Sequence, residues 1–211
     1  MTIANRQFQV TDPAILQALM RAQPLATLVV THEGTMHVNH VPLYLDPTRG
    51  PHGTLVGHVG RANGVLPLLP QTAVAVFHGP QAYVSPSWYP SKAVDGKGVP
   101  TWNYATVHAH GTLRMVDDAA RLREILDMLT DEHEAHRPEP WRMEDSPPDY
   151  LDKVLRAIVG VELVVERWEG VWKVNQNRSD VDRAGVVQGL TAEGTPQALA
   201  MAALVEHWPN A

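Results

Sequence analysis

Residues 101–116 read TWNYATVHAHGTLRMV. Trp102, Tyr104, Thr106, His108 and His110 fall on one face of an extended chain, and Ala105, Val107, Ala109 and Leu113 on the other. This alternation predicts one long strand with its small apolar face turned inward.

Shorter runs of the same kind precede it. Segments 26–31 and 36–45 are rich in β-branched and apolar residues, and His32-Glu33-Gly34-Thr35 between them reads as a tight hairpin. A third strand is expected over 54–59. Residues 62–70 suit a short helix weakened by Gly64 and Pro67, and 72–78 and 81–84 read as strands broken at Gly79-Pro80. The stretch SPSWYPSKAVDGKGVP, 85–100, holds three prolines and two large aromatics, a composition expected to interrupt both sheet and helix. Loops of that length in compact domains are often functional.

Helices flank these strands. Thr11-Asp12-Pro13 can start one over about 13–22, with Ile15, Leu16, Leu19 and Met20 at helical spacing. Asp117-Asp118 can start another to about 135, with Leu122, Ile125, Leu126 and Leu129 as its apolar stripe. A third is expected over 149–157. Strands are expected at 158–168 and 172–175. Ser179 and Thr195-Pro196 then cap two final helices. Six or so antiparallel strands joined by short turns, with helices outside, predict a mainly β fold with peripheral helices built on a small barrel.

Composition narrows the function. A chain of 211 residues with 44% hydrophobic content suits one substantial core. The absence of cysteine excludes disulfides and thiolate metal sites and fits a reducing cytoplasm. The opening MTIANRQFQV lacks the pattern of a leader, and no stretch holds 18 apolar residues, so a soluble, cytoplasmic protein is expected. A net charge of -6 opposes broad electrostatic attachment to DNA or anionic lipid. No nucleophile elbow, phosphate-binding P-loop or dinucleotide-binding glycine fingerprint is present.

Three segments hold candidate chemistry. His58-Val59-Gly60-Arg61-Ala62-Asn63 lies where a strand ends and a short helix begins, a place where backbone amides, Arg61 and Asn63 can hold a phosphate; a solvated turn is the alternative. Trp88, Tyr89 and Lys92, followed by Trp102, Asn103 and Tyr104, can flank a flat heterocycle; aromatics that only anchor the loop are the alternative. Lys173, Gln176, Asn177 and Arg178 are a dense set of donors for a phosphate or a ring carbonyl, or equally a polar surface turn. The eleven histidines include the pairs His37/His40, His108/His110 and His133/His136, none of which has a spacing that completes a metal shell, so no metal is expected.

Together these blocks resemble the PaiB family, FMN-binding negative transcriptional regulators of the FMN-binding split-barrel superfamily. The likeness covers about residues 6–190. It runs through ATLVVTHEGTMHVNHVPLYLD, GPHGTLVGHVGRANG, VAVFHGPQAYVSPSWYPSK, VPTWNYATVHAHG and KVNQNR followed by RAGVVQGL. The resemblance implies a split β-barrel domain over 1–190 with inserted helices around 118–157, and a C-terminal helix at 191–211. It also implies a homodimer with FMN near the interface, and a role in negative regulation of protease production or sporulation. It makes His58, Arg61, Ala62 and Asn63 a phosphate turn, the SPSWYPSK and PTWNY blocks flavin walls, and Lys173, Gln176, Asn177 and Arg178 donors to ring or phosphate. On this reading the loss of Arg61 weakens FMN binding more than the loss of any single aromatic. Where relatives usually read RANPQW, this chain has Arg61-Ala62-Asn63-Gly64-Val65-Leu66. An FMN-dependent oxidoreductase of the same superfamily is the alternative function, and a haem-binding split barrel a third.

Overall fold

The computed structural model describes residues 6–208, so the outer ends of the two expected domains lie outside the described residues. A short β1 (Gln9–Val10) leads into α1 (Pro13–Ala22), whose first turn is capped by Asp12 Oδ1, 2.8 Å from the Ala14 amide. The expected hairpin is formed by β2 (Leu25–His32) and β3 (Thr35–Pro42). Its turn residues Glu33 and Gly34 have φ of 48° and 78°, the left-handed pair that matches strand twist.

The expected 36–45 strand is divided. Pro42 has no amide with which to continue the ladder, Leu43 donates instead to Pro24 O at 2.9 Å, and β4 (Tyr44–Asp46) takes a new partner in β5 (Thr54–Gly60). Residues 66–68 make only a 3-10 turn where a short helix was expected.

Two expected breaks are absent. β6 (Gln71–Val84) runs through Gly79-Pro80. Its ladder to β2 covers only 73–76, so Pro80 stands beyond it and its missing N–H forfeits no bond to β2. The 85–100 segment then holds a 3-10 turn over Pro86–Trp88 and a single helical turn, α2 (Lys92–Asp95), before β7 (Thr101–Val116) begins. Next come α3 (Ala119–Glu134), α4 (Pro148–Arg156) and β8 (Ile158–Lys173). β8 continues through Gly170 because that glycine marks a close approach, not a turn. It pairs with Val10, and a Cβ there would lie 2.6 Å from the Val10 carbonyl oxygen. The chain ends with α5 (Asp180–Glu193) and α6 (Pro196–His207), whose first turns are capped by Ser179 and Thr195 as expected.

The hydrogen-bonded strand order is β3-β2-β6-β7-β8-β5-β4, with β1 added on β8. The chain divides into two compact units, one made of residues up to Leu16, His78–Val107 and Glu169 onward, the other of Gln17–Phe77 and His108–Trp168. In the second unit β3 contacts β5, and Asn63 Nδ2 donates to Asn39 Oδ1 at 2.9 Å. The sheet therefore rolls up without a ladder joining its terminal strands among the described residues, which is the architecture of a split barrel. Leu28, Leu55, Phe77, Leu113, Ile125 and Leu163 fill this unit with essentially no exposure, each contributing about 1.5–3 kcal/mol. Among the described residues no helix is long and apolar enough to cross a membrane.

One buried carboxylate pins the inserted helix to this barrel. Glu162 on β8 receives a two-pronged hydrogen bond from Arg49 and a third from Arg121 Nε of α3 at 2.8 Å. Burial pushes the Glu162 carboxyl up, but these bonds outweigh it and hold the group below the usual carboxylate range. A depressed folded-state value means the contribution is complete above the unfolded pKa and is lost as pH falls through the folded one. Glu162→Gln is therefore expected to lower stability at neutral pH by about 1–3 kcal/mol. It should also flatten the loss of stability on acidification below about pH 4, read from denaturant midpoints across pH; a parallel pH profile would contradict this role.

Candidate cofactor site

The core alternation of β7 carries Ala105, Val107 and Ala109 inward, and two residues earlier it carries Asn103 inward as well. A polar side chain with no exposure needs partners. Asn103 Nδ2 donates to Asn175 Oδ1, while Asn103 Oδ1 is buried without a hydrogen-bond partner. Asn175 sits just past β8 at φ 61°, a left-handed conformation that asparagine tolerates better than most residues. That turn sends Asn177 and Arg178 back past Tyr89, and the Arg178 amide donates to Asn175 O at 2.9 Å.

Around this pair lies a cavity of about 270 Å³. Tyr89, Thr101, Asn103, Lys173, Asn175 and Arg178 form its polar lining, with Asn177, Gln7, Phe8 and Val99 beside them. Tyr89 is buried, accepts from Asn175 Nδ2 at 3.3 Å through its hydroxyl, and carries the Arg178 guanidinium 4.6 Å above its ring. Lys173 Nζ donates to Thr101 Oγ1, and burial pushes the ammonium below the ordinary lysine value. The arrangement offers two cations, several amides and one unmet acceptor.

The other expected site residues fall in different surroundings. Gln176 is consumed internally: its Oε1 accepts from the Val174 amide at 2.8 Å, and its Nε2 donates to Trp172 O and Gln7 O. It staples the turn to the N-terminal segment. Trp88 packs on α5, and Lys92 opens α2 with its stem beside Gly98. Trp102 and Tyr104 point away from the cavity and are 54% and 40% exposed; Trp102 makes an edge-to-face pair with Tyr83 at 6.2 Å.

His58, Arg61, Ala62 and Asn63 belong to the other unit. Arg61 donates to Arg156 O, Asp117 Oδ1 and Ile158 O at 3.1, 3.1 and 3.3 Å, at the edge of a 480 Å³ cavity lined also by Asp152 and Leu155. Asn63 accepts from the Val65 amide at 2.9 Å, in addition to its bond to Asn39. Ala62 is exposed. His58 is half-buried with an unpartnered Nδ1, and burial pushes its pKa down. Thr101 and Asn175 also line the cavity; they lie within the PTWNY and KVNQNR blocks but were not among the expected site residues.

A rolled antiparallel sheet left open along one seam defines the split-barrel class of folds. Two solved structures share the fold. They are a FAD and heme binding protein from Mycobacterium smegmatis (TM-score 0.58, 20% identity, 78% of this chain and 72% of that one) and the flavocytochrome Anf3 from Azotobacter vinelandii (TM-score 0.59, 17% identity, 79% and 69%). The family described as "Putative FMN-binding domain" matches residues 2–167. The Bacillus subtilis protease synthase and sporulation protein PAI 2 is 30% identical over 203 residues, 95% of each chain. The chain belongs to this PaiB-type family of flavin-binding split-barrel proteins.

The Lys173 ammonium is held where burial disfavours its charge. With a depressed base pKa, this group's contribution to stability rises with pH as Lys173 loses its proton. Lys173→Met is expected to leave the thermal midpoint at neutral pH unchanged or raised, within about 1 kcal/mol. A clear loss in calorimetry would make Lys173 a structural donor to Thr101.

Proposed function

We infer that this protein binds FMN in the Asn103–Lys173–Arg178 cavity, works as a homodimer and acts as a negative regulator of transcription. The observation that carries the cofactor reading is the unmet Asn103 Oδ1 beside Lys173 and Arg178. Two cations alone would suit any anion. An acceptor buried among them selects a ligand edge that both donates and accepts, because a buried acceptor left unpaired costs about 1–3 kcal/mol. The imide edge of a flavin ring has that pattern, a ring N–H between two carbonyls. Asn103 would accept from the N–H, Lys173 and Arg178 would serve the carbonyls, and the Tyr89 ring would wall the site. When bound, the flavin supplies electron-transfer chemistry, while these residues orient it and set the charge around it.

The dimer is supported by two features of the same unit. The cavity is smaller than the roughly 300–1,000 Å³ typical of sites that enclose a whole ligand, so part of FMN would extend beyond it. Tyr83, Trp102 and Tyr104 form an exposed aromatic patch suited to cover by a second copy. The regulatory reading rests on the likeness to the sporulation protein. The net charge of -6 favours control through a partner over broad contact with DNA. An oxidoreductase is the second reading, favoured by Lys173: a cation at the ring edge stabilises negative charge gained on reduction.

Titration of the purified protein with FMN and riboflavin tests the cofactor reading. Wild type should bind both. Asn103→Leu should lose about tenfold or more of its affinity for each, equivalent to about 1.4 kcal/mol. Arg61→Ala should weaken FMN selectively if the 61–63 turn holds the phosphate, and equal retention of both ligands would remove that turn from the site. No binding of either flavin by wild type would contradict the reading. Anaerobic addition of NADH and NADPH to the complex separates the functions, since a flavin that stays oxidised with both opposes the oxidoreductase.

A further inference from the structure

The motif RAGVVQGL, residues 183–190, lies in α5, outside the 2–167 span of the family match, and no ligand role above accounts for its two glycines. Asp182, Gly185 and Gly189 are three and four residues apart and so share one face of the helix. All three meet the 85–100 loop. The Asp182 carboxylate accepts from the Ser91 amide at 3.0 Å and from the Ser91 hydroxyl at 2.8 Å. A Cβ on Gly185 would lie 3.0 Å from Pro90 Cδ and nearer still to the Trp88 carbonyl oxygen. A Cβ on Gly189 would lie 2.6 Å from Trp88 Cγ and nearer to two further ring atoms.

An indole wedged into a glycine notch cannot yield to an added methyl as a flexible chain end would. Between Trp88 and Ser91 stands Tyr89, whose hydroxyl meets Asn175 and whose ring lies under Arg178.

We propose that α5 is the positioning element of the cofactor cavity: Gly185 and Gly189 seat Trp88, Asp182 holds Ser91, and together they set Tyr89 against Asn175 and Arg178. Trp88 is then a positioning residue that acts through Tyr89 without touching the flavin. The inference rests on the reading of the cavity as the flavin site. A site whose walls are held in place before binding retains affinity that would otherwise be lost in ordering them.

Gly189→Ala tests this in the full-length protein. A helix interior prefers alanine to glycine, so a glycine without a packing role would give an equal or higher thermal midpoint and unchanged flavin binding. The notch instead requires a loss of FMN affinity of about tenfold or more, with a displaced visible band in the saturated complex. It also requires partial recovery in Gly189→Ala/Trp88→Leu, where the smaller side chain leaves room for the methyl. If Gly189→Ala does not fold, Ser91→Ala decides. That variant loosens the same loop without adding an atom, and a loss of about threefold or more is expected. Wild type that fails to bind FMN would overturn the cavity reading itself. Wild type that binds, beside a folded Gly189→Ala that binds equally well with the same spectrum, would overturn the positioning role of α5.

Discussion

The amide pair between Asn103 and Asn175 is the constraint on which the unit around the Tyr89–Lys173 cavity depends. β7 delivers Asn103 to a position with no access to water, where an amide is tolerated only with partners. Its side-chain bond fixes Asn175, whose left-handed backbone reverses the chain after β8. From that reversal come the places of Lys173, Asn177 and Arg178 around one cavity. Replacing the pair by apolar residues would satisfy the core but remove the turn's anchor and the one unmet acceptor together.

The support around this pair is layered outward. Gln176 ties the turn to the Trp172 carbonyl and to Gln7, and Trp172 stacks on Trp208 beyond α6 with centroids 5.8 Å apart. Arg183 donates to Val205 O and Trp208 O and so closes the C-terminal end of α6, where unpaired carbonyls otherwise face solvent or the core. α5 holds the Trp88–Ser91 stretch from the other side. The final helices therefore belong to the physics of the site, although they contribute no residue to the cavity lining.

Much of the fold was legible because its signals are local. Glu33-Gly34 announced the hairpin, Asp118, Ser179 and Thr195 announced helix starts, and the alternation of 101–116 announced β7. The misread places are those where a neighbouring strand decides. The gap expected between 168 and 172 closes once β1 is seen beside Gly170, and Pro80 looks like a break until the reach of the β2 ladder is known. At the site, residue type showed that donors were present but not where each was committed. Gln176 and Arg178 are alike on that score, yet one is consumed by backbone carbonyls and the other lines the cavity beside Tyr89. The partnership of Asn103 with Asn175, 72 residues apart, is created only by the sheet.

On the proposed function, a flavin is held by its polar ring edge in this cavity. A crystal structure of the protein soaked or grown with FMN tests it most directly. Ring density is expected with its imide edge at Asn103 Oδ1 and the Lys173 ammonium, beside the Tyr89 ring. Flavin density elsewhere, with Asn103 Oδ1 still unpartnered, would overturn it.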